Sequence, residues 1–540
     1  MDNDNKSTQM GNRILVLVAM VLGVLIGLMF SHSGGRRHGL TRPSALQSKM
    51  EEVLRLVEKE YVDDVDVDSL SEHLVAVMLS ELDPHSTYLS VRETERTDEM
   101  MRGNFEGVGL VLHREGDTTY VGQVMADGPS AGSGILPGDM ILTVDGDTVS
   151  GVGMPADSVV ARLRGPRRST VDITVKRQNS PHNPQCSTLN YSIRRGVVDY
   201  ATLPCSLMLD DTTGYILITS FSQTTHKEFR TALTQLKKKG LRHLILDLRG
   251  NGGGSLGSAV GVAGELLPQG SLIVYTQGTH SRRNNVHSQG IGLFTKGKVT
   301  VLVDETSASA SEVVAGALQD NDRATIMGRR TFGKGLVQTE FTLNDGSSVL
   351  LTTARYYTPS GRCIQRPYDD GTDEYYRSYM QQLIDETYAD TATTTATDTT
   401  PYHTVGGRVV YGGGGITPDI ILPYLKDSSF IYYNRLSSAG ILNRVAFGYV
   451  KGHAAELKTR YANPDDFYRH FKVSEALVQE VTARGVQKGI ALDPRSLKTQ
   501  RKLITNMIKA YIGQSLFGDS MFYRVYIDED NDMRELKTKN

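Results

Sequence analysis

The 540-residue chain has no tryptophan and only three cysteines, Cys186, Cys205 and Cys363. Cysteines so few and so scattered exclude a disulfide framework and a cysteine zinc site, and three free thiols is the plainest reading. Excess charge of either sign is missing as well. The formal net charge is −2, which gives no argument for nucleic acid or for a strongly charged partner. Long hydrophobic runs are absent except at one place, residues 14–30, "ILVLVAMVLGVLIGLMF". That run carries no charge and comes close to the ~20 residues a membrane-spanning helix needs. Its exit, "LMFSHSGG", has no A-x-A cleavage site, so an uncleaved anchor is expected over a cleaved signal. Lys6 and Arg13 precede the run, and Arg36, Arg37 and Arg42 follow it. By the positive-inside rule those arginines pull the bulk of the chain toward the cytoplasm.

What is present is ordered along the chain. Met50, Val53, Leu54 and Val57, then Leu70, Leu74, Val77 and Met78, recur at helical spacing. Two amphipathic helices should therefore end near "LDPHSTYLS", and a polar stretch, 91–102, follows. Apolar segments at 108–112, 119–124, 140–144 and 171–175, separated by turn signals, indicate a small β module. From 214 to about 356 strands and helices alternate, which is the pattern of an α/β core. "HLILDLR" reads as a buried strand and "VTVLVDE" as another. The Thr-rich tract in 386–402 cannot bury apolar area and should be a disordered loop. The last 115 or so residues read as mainly helical, and no chemistry is evident in them.

Three glycine-rich stretches suggest chemistry that their neighbours deny. Gly252-x-Gly254-x-x-Gly257 resembles a dinucleotide fingerprint, but the next strand ends in Gln277 and Gly278, with no acid for a ribose. Gly253-Gly254-Ser255-Leu256-Gly257 matches a nucleophile elbow and makes Ser255 a rival nucleophile, with His403 or His453 downstream. "GRRTFGKG" (328–335) has Gly335 where a phosphate loop needs Ser or Thr.

The stretch "SASASEVVAG" (307–316) has no histidine nearby; the flanking ones are His287 and His403. Ser309-x-x-Glu312 fits a capping box, so a helix start is the plain reading. A serine there also has free backbone N–H groups beside it, which can stabilise an oxyanion. The missing base could be a lysine made neutral by burial. Lys334, between two glycines and flanked by Phe332, Leu336 and Val337, is the candidate.

At this point six stretches in order resemble one family. They are "LDPHSTYL", "FEGVGL…AGSGILPGDMILTVDG", "LDLRGNGGG", "SASASEVVAGALQDNDRATIMGRRTFGKGLVQ", "YYTPSGRCIQ" and "GGGGITPDI". Together they resemble the C-terminal processing peptidases, or tail-specific proteases: serine peptidases with a Ser-Lys dyad and a PDZ domain. The resemblance covers roughly 45–425. It implies a multidomain α/β protein in which a small β-rich PDZ domain precedes a crotonase/ClpP-like α/β peptidase core. The implied divisions are a tail (1–13), an anchor or signal (14–30), a helical region (45–102), a PDZ domain (103–196), the core (197–425) with an insertion (367–411), and a mainly helical extension (426–540).

Carried across by position, the resemblance makes Ser309 the nucleophile, Lys334 the general base and Gln338 the residue that positions the lysine. The backbone N–H groups of Gly253 and Ala310 become the oxyanion hole. Ser307 and Ser311 become packing or capping residues. Gly107, Val108, Gly109 and Leu110 become the carboxylate-binding loop of the PDZ domain, with Leu110 and Ile141 as walls of its apolar pocket. Arg164 resembles an arginine that links peptide binding to activation. The family often has proline where this chain has Gly252. The implied partners are proteins with exposed apolar C-termini and a second copy of the chain; no metal, cofactor or nucleic acid is implied. The implied location is the cell envelope, on the periplasmic side of the inner membrane and held by the anchor, against the direction of the arginines. The alternatives are a catalytically silent PDZ adaptor and a hydrolase built on Ser255.

Overall fold

The computed structural model describes residues 45–180, 183–388, 400–424 and 430–539. The chain divides into two compact units, Met1–Val77 and Met78–Asn540. In the first, the described residues hold the helix Ala45–Glu60 and the beginning of the helix Val67–Ser80. Met50, Val53 and Leu56 on the former are exposed.

The expectation of a single-pass N-terminal anchor, and with it of a periplasmic place on the inner membrane, is corrected. No helix among the described residues is long and apolar enough to cross a membrane. The run 14–30 on which that expectation rested lies outside them.

The second unit opens with a difference from the sequence reading. The polar stretch 91–102 is a helix, Val91–Arg102. Its N-terminus is closed by Ser90 and Glu93: the Ser90 N–H and hydroxyl both donate to the Glu93 carboxylate, at 2.9 and 2.6 Å. Almost no apolar stripe marks this helix, so periodicity missed it. The Ser-x-x-Glu cap is its signal.

A five-stranded antiparallel path follows, Leu110–Glu115, Thr118–Val124, Met140–Val144, Thr170–Ser180 and Asn183–Arg194. The helix Ala156–Leu163 packs on it, and Val121, Ile141, Val144, Val159 and Val175 form its fully buried centre. Leu110–Glu115 is an end strand, so one row of its backbone groups is free to pair.

The α/β core is a six-stranded sheet in the order Cys205–Met208, Thr213–Leu217, His243–Asp247, Lys298–Val303, Thr325–Gly328 and Ile420–Ile421. All neighbours are parallel except the first pair. Strands buried on both faces read as continuous apolar runs, which is why "HLILD" and "VTVLV" were legible. Leu244, Leu246, Val301 and Val303 are fully buried, each worth roughly 1.5–3 kcal/mol of burial. The helices Thr225–Lys238, Leu256–Leu266 and Ala310–Asp320 cover the sheet. A second sheet pairs Leu336–Thr342 with Ser348–Tyr357, which also pairs Leu272–Gln277 and Thr87–Leu89.

The insertion holds a helix, Thr372–Tyr388. The Thr-rich tract read as a disordered loop lies, over 389–399, outside the described residues. The last part of the chain is helical, and its core is its own: Leu436, Val445, Phe467, Ile504 and Ile508 are buried together. This bundle also grips the β domain. The His113 ring lies against Phe447, centroids 4.0 Å apart and tilted by 34°, and Lys451 sits over the Tyr120 ring at 3.8 Å.

Candidate active site

Ligand sites of open parallel sheets lie beyond the carboxyl ends of the strands. Three adjacent strands here end at Asp247, Val303 and Gly328, and their outgoing loops carry Gly253, Ser309 and Lys334. The sheet order alone therefore brings these distant residues to one edge.

Ser309 is the N-cap of the fully buried helix Ala310–Asp320 and has φ +54° and ψ −110°. That backbone is strained for any residue with a Cβ, and such strain collects at functional sites. Ser255 shows the contrary. Its φ is −61°, and its hydroxyl accepts the Ser258 N–H at 3.3 Å as a helix cap. The strained turn that a nucleophile elbow demands is at Ser309. Ser307 and Ser311 are fully buried and donate to Leu248 O and Asn251 O, at 2.8 and 2.9 Å.

Glu312 organises the site. Its side chain is fully buried, and four donors converge on it. The Ser309 N–H (2.8 Å) and Lys334 N–H (2.9 Å) reach Oε2; the Thr331 hydroxyl (2.6 Å) and Gly333 N–H (2.8 Å) reach Oε1. Burial pushes this carboxyl up to about 7, against the pull of those hydrogen bonds. Tyr356 ties the same two residues again: its single phenol O–H is shared between the Ser309 carbonyl, at 3.1 Å, and the Lys334 carbonyl, which it approaches closely.

The Lys334 amine donates to Gln338 Oε1 at 2.9 Å. Gln338 Nε2 in turn donates closely to the His85 carbonyl. Burial lowers the lysine from its ordinary range, with Asp83 and Glu312 opposing the shift. The His85 imidazole is lowered to about 4 by burial and by the Lys334 charge. It meets the Tyr375 hydroxyl of the insertion helix at 3.2 Å. Among the described residues no hydrogen bond joins the Lys334 amine to the Ser309 hydroxyl.

Gly253 lies directly against the serine. Its φ is +106°, and a Cβ there would stand 2.8 Å from Ser309 Cβ and 3.1 Å from the Ala310 nitrogen. Its N–H donates to Asn251 Oδ1 at 2.8 Å. Asn251, fully buried, also donates to the Ile218 carbonyl, and its own carbonyl accepts from the Ala308 N–H at 3.0 Å. The Ala310 N–H is the first of its helix and has no intrahelical partner.

A groove of about 390 Å³ runs beside the end strand of the β domain, lined by Phe105, Gly107, Val108, Gly109, Leu110 and Leu163 among others. The Val108 and Gly109 carbonyls accept from Ser130 and Met125, both at 3.0 Å, which fixes the loop. Gly109 has φ +72°, and a Cβ would meet Gly128 Cα at 2.8 Å. Arg164 lines the groove. It bonds Glu99 at 2.5 Å and the Tyr200 hydroxyl at 3.0 Å, and lies over the Phe105 ring at 4.6 Å. Ile141 is not a wall of this groove. It sits on a central strand, fully buried in the domain core, and that placement corrects the sequence expectation.

Residues 97–176 match the PDZ domain model, 212–373 match peptidase family S41, and 432–518 match a family of unknown function. The carboxy-terminal processing protease CtpA of Bacillus subtilis is 32% identical over 357 residues, 65% of this chain and 74% of that one. The carboxy-terminal-processing protease of Bartonella bacilliformis is 34% identical over 319 residues, 58% of this chain and 71% of that one. The chain belongs to the carboxy-terminal processing proteases of peptidase family S41. It is a serine-type peptidase with a PDZ domain. Among solved structures, the photosystem II D1 C-terminal processing protease is 27% identical, covering 70% of this chain and 93% of that one, with a TM-score of 0.34.

Within this protease the sequence reading undervalued three residues. Glu312 was read as a cap and is the hub that holds both loops. Asn251 and Tyr356 lie in the stretches "LDLRGNGGG" and "YYTPSGRCIQ", but no role is assigned to either from sequence, because their value comes from long-range partners that no local pattern encodes.

Proposed function

We propose that this protease cleaves proteins near exposed apolar C-termini, with Ser309 as nucleophile and Lys334 as general base. The observation that carries the proposal is the strained Ser309, held with Lys334 on one buried carboxylate and closed on its other side by Gly253. The tail adds as a strand beside Leu110–Glu115, its carboxylate on the loop of Gly107, Val108 and Gly109 and its apolar end in the groove. Arg164, anchored to Glu99 and Tyr200, joins this groove to the segments leading into the core.

In the first step the neutral Lys334 amine leaves Gln338 and takes the Ser309 proton as Oγ attacks the scissile carbonyl. The Ala310 N–H stabilises the oxyanion, and the Gly253 N–H joins it by exchanging its bond to Asn251. The lysine then gives its proton to the leaving amine as the C–N bond breaks and an acyl-enzyme forms. Next it takes a proton from water as the water oxygen attacks the acyl carbon, and returns that proton to Ser309 Oγ as the ester bond breaks and the carboxylic acid leaves. Gln338 returns the amine to its starting place between steps.

Ser309→Ala and Lys334→Met should each lower cleavage of a tailed substrate by about 10⁴-fold or more. Ser255→Ala should keep activity and lose only about 1 kcal/mol of stability as a lost cap. Steady-state cleavage assays check this; a dead Ser255→Ala enzyme beside an active Ser309→Ala enzyme would reverse the assignment.

A further inference from the structure

The loops that carry Gly253 and Lys334 flank the Ser309 loop, and each of the two carries an arginine close to its start, Arg249 and Arg329. Both arginines reach the same carboxylate. Asp532 Oδ2 lies 2.9 Å from Arg249 Nη1 and 3.2 Å from Arg329 Nη1. Asp532 stands in the first turn of the last described helix, Asn531–Lys539. Arg249 is held further by Asp530 at 2.6 Å and by Asp247 at 2.5 Å, and Arg329 by Glu305 of the middle loop at 3.0 Å. The cluster is largely dry, with Arg249, Arg329 and Asp532 13%, 16% and 15% exposed. Pairs so buried escape most salt screening, and removing one partner leaves a charge uncompensated.

We propose that Asp532 is a positioning residue for the reaction. Through Arg249 and Arg329 it fixes the spacing between the Gly253 loop and the Lys334 loop, across the serine between them. It touches no reacting atom. The C-terminal extension thereby becomes part of the catalytic edge rather than an appendage to it. The inference rests on the Ser309–Lys334 reading, because only there do these two loops face one reaction. Misplacement of catalytic groups by about 1 Å can cost about 10²-fold in rate.

The test compares the full chain with Asp532→Asn, Asp532→Glu, Arg329→Gln and the double variant Asp532→Asn/Arg329→Gln on a tailed peptide. Ser309→Ala runs alongside. Folded enzyme is counted by near-UV circular dichroism and the denaturant unfolding midpoint, so a partly unfolded preparation does not imitate the effect. Asp532→Asn should lower kcat about tenfold or more, with KM and tail affinity within about twofold. Asp532→Glu should restore most of the loss, and the double variant should be no slower than the slower single one. An unchanged kcat in Asp532→Asn overturns the proposal. So does a loss shared by tail binding, or one that Asp532→Glu does not restore. A Ser309→Ala enzyme that still cleaves overturns the dyad reading instead, so the two failures are distinct.

Discussion

At the scale of single residues, Glu312 and Lys334 have opposite tasks in one dry site. The carboxylate must stay charged to accept four hydrogen bonds, and burial works against it. The amine must become neutral, and burial works for it. Raising the pH removes the lysine proton, so activity should climb with pH through an apparent value below the ordinary lysine range of about 10.4. Below about 7 Glu312 gains a proton, and one acceptor oxygen turns into a donor facing donors. Both effects depress the acid limb, and a pH–rate profile that fell from pH 6 to 9 would contradict them. Glu312→Gln puts an amide N–H₂ among four donors without unfilling the space. It should cost about 3 kcal/mol in denaturant unfolding, with activity lost beyond what unfolding explains.

At the scale of elements, the site is built where strand ends meet glycine turns. Gly253→Ala should abolish cleavage, because its Cβ would press on Ser309 Cβ and its φ suits only glycine. Tail-peptide binding should stay intact in that variant, and binding plus turnover assays together check it. Much of this was legible beforehand. The buried strands ending at Asp247 and Val303 showed as apolar runs, and "SASASE" and "TFGKG" marked the loops. What could not be read was the pairing between loops, since a hydrogen bond from residue 334 to residue 312 leaves no periodic trace. Neither could the Val91–Arg102 helix be read from hydrophobicity. It is held by a cap and by exposed charge, and only Ser90 and Glu93 betray it. Ile141 misled because its strand is apolar whichever way the domain uses it, and only the sheet order shows it to be central.

At the scale of the whole molecule, the C-terminal extension has its own core, packs Ile527, Met533 and Leu536 against Leu217, Ile245 and Leu302 of the core sheet, and grips the rest of the chain at two further places. One is on the β domain, where Phe447 is buried against His113 and Tyr120. The other is on the catalytic edge, through Asp530 and Asp532. The sequence reads there as mainly helical with no chemistry, because ion pairs formed across 200 residues or more follow no motif. Tail capture in the PDZ groove and bond cleavage at the sheet edge thus occur on a scaffold joined at both ends. The most direct test of the account is to react the full chain with a serine-reactive probe in the presence of a tailed peptide and to locate the adduct by peptide mass spectrometry. The account predicts label on Ser309 that disappears in Lys334→Met. Label on Ser255, or undiminished label on Ser309 when Lys334 is methionine, would contradict it.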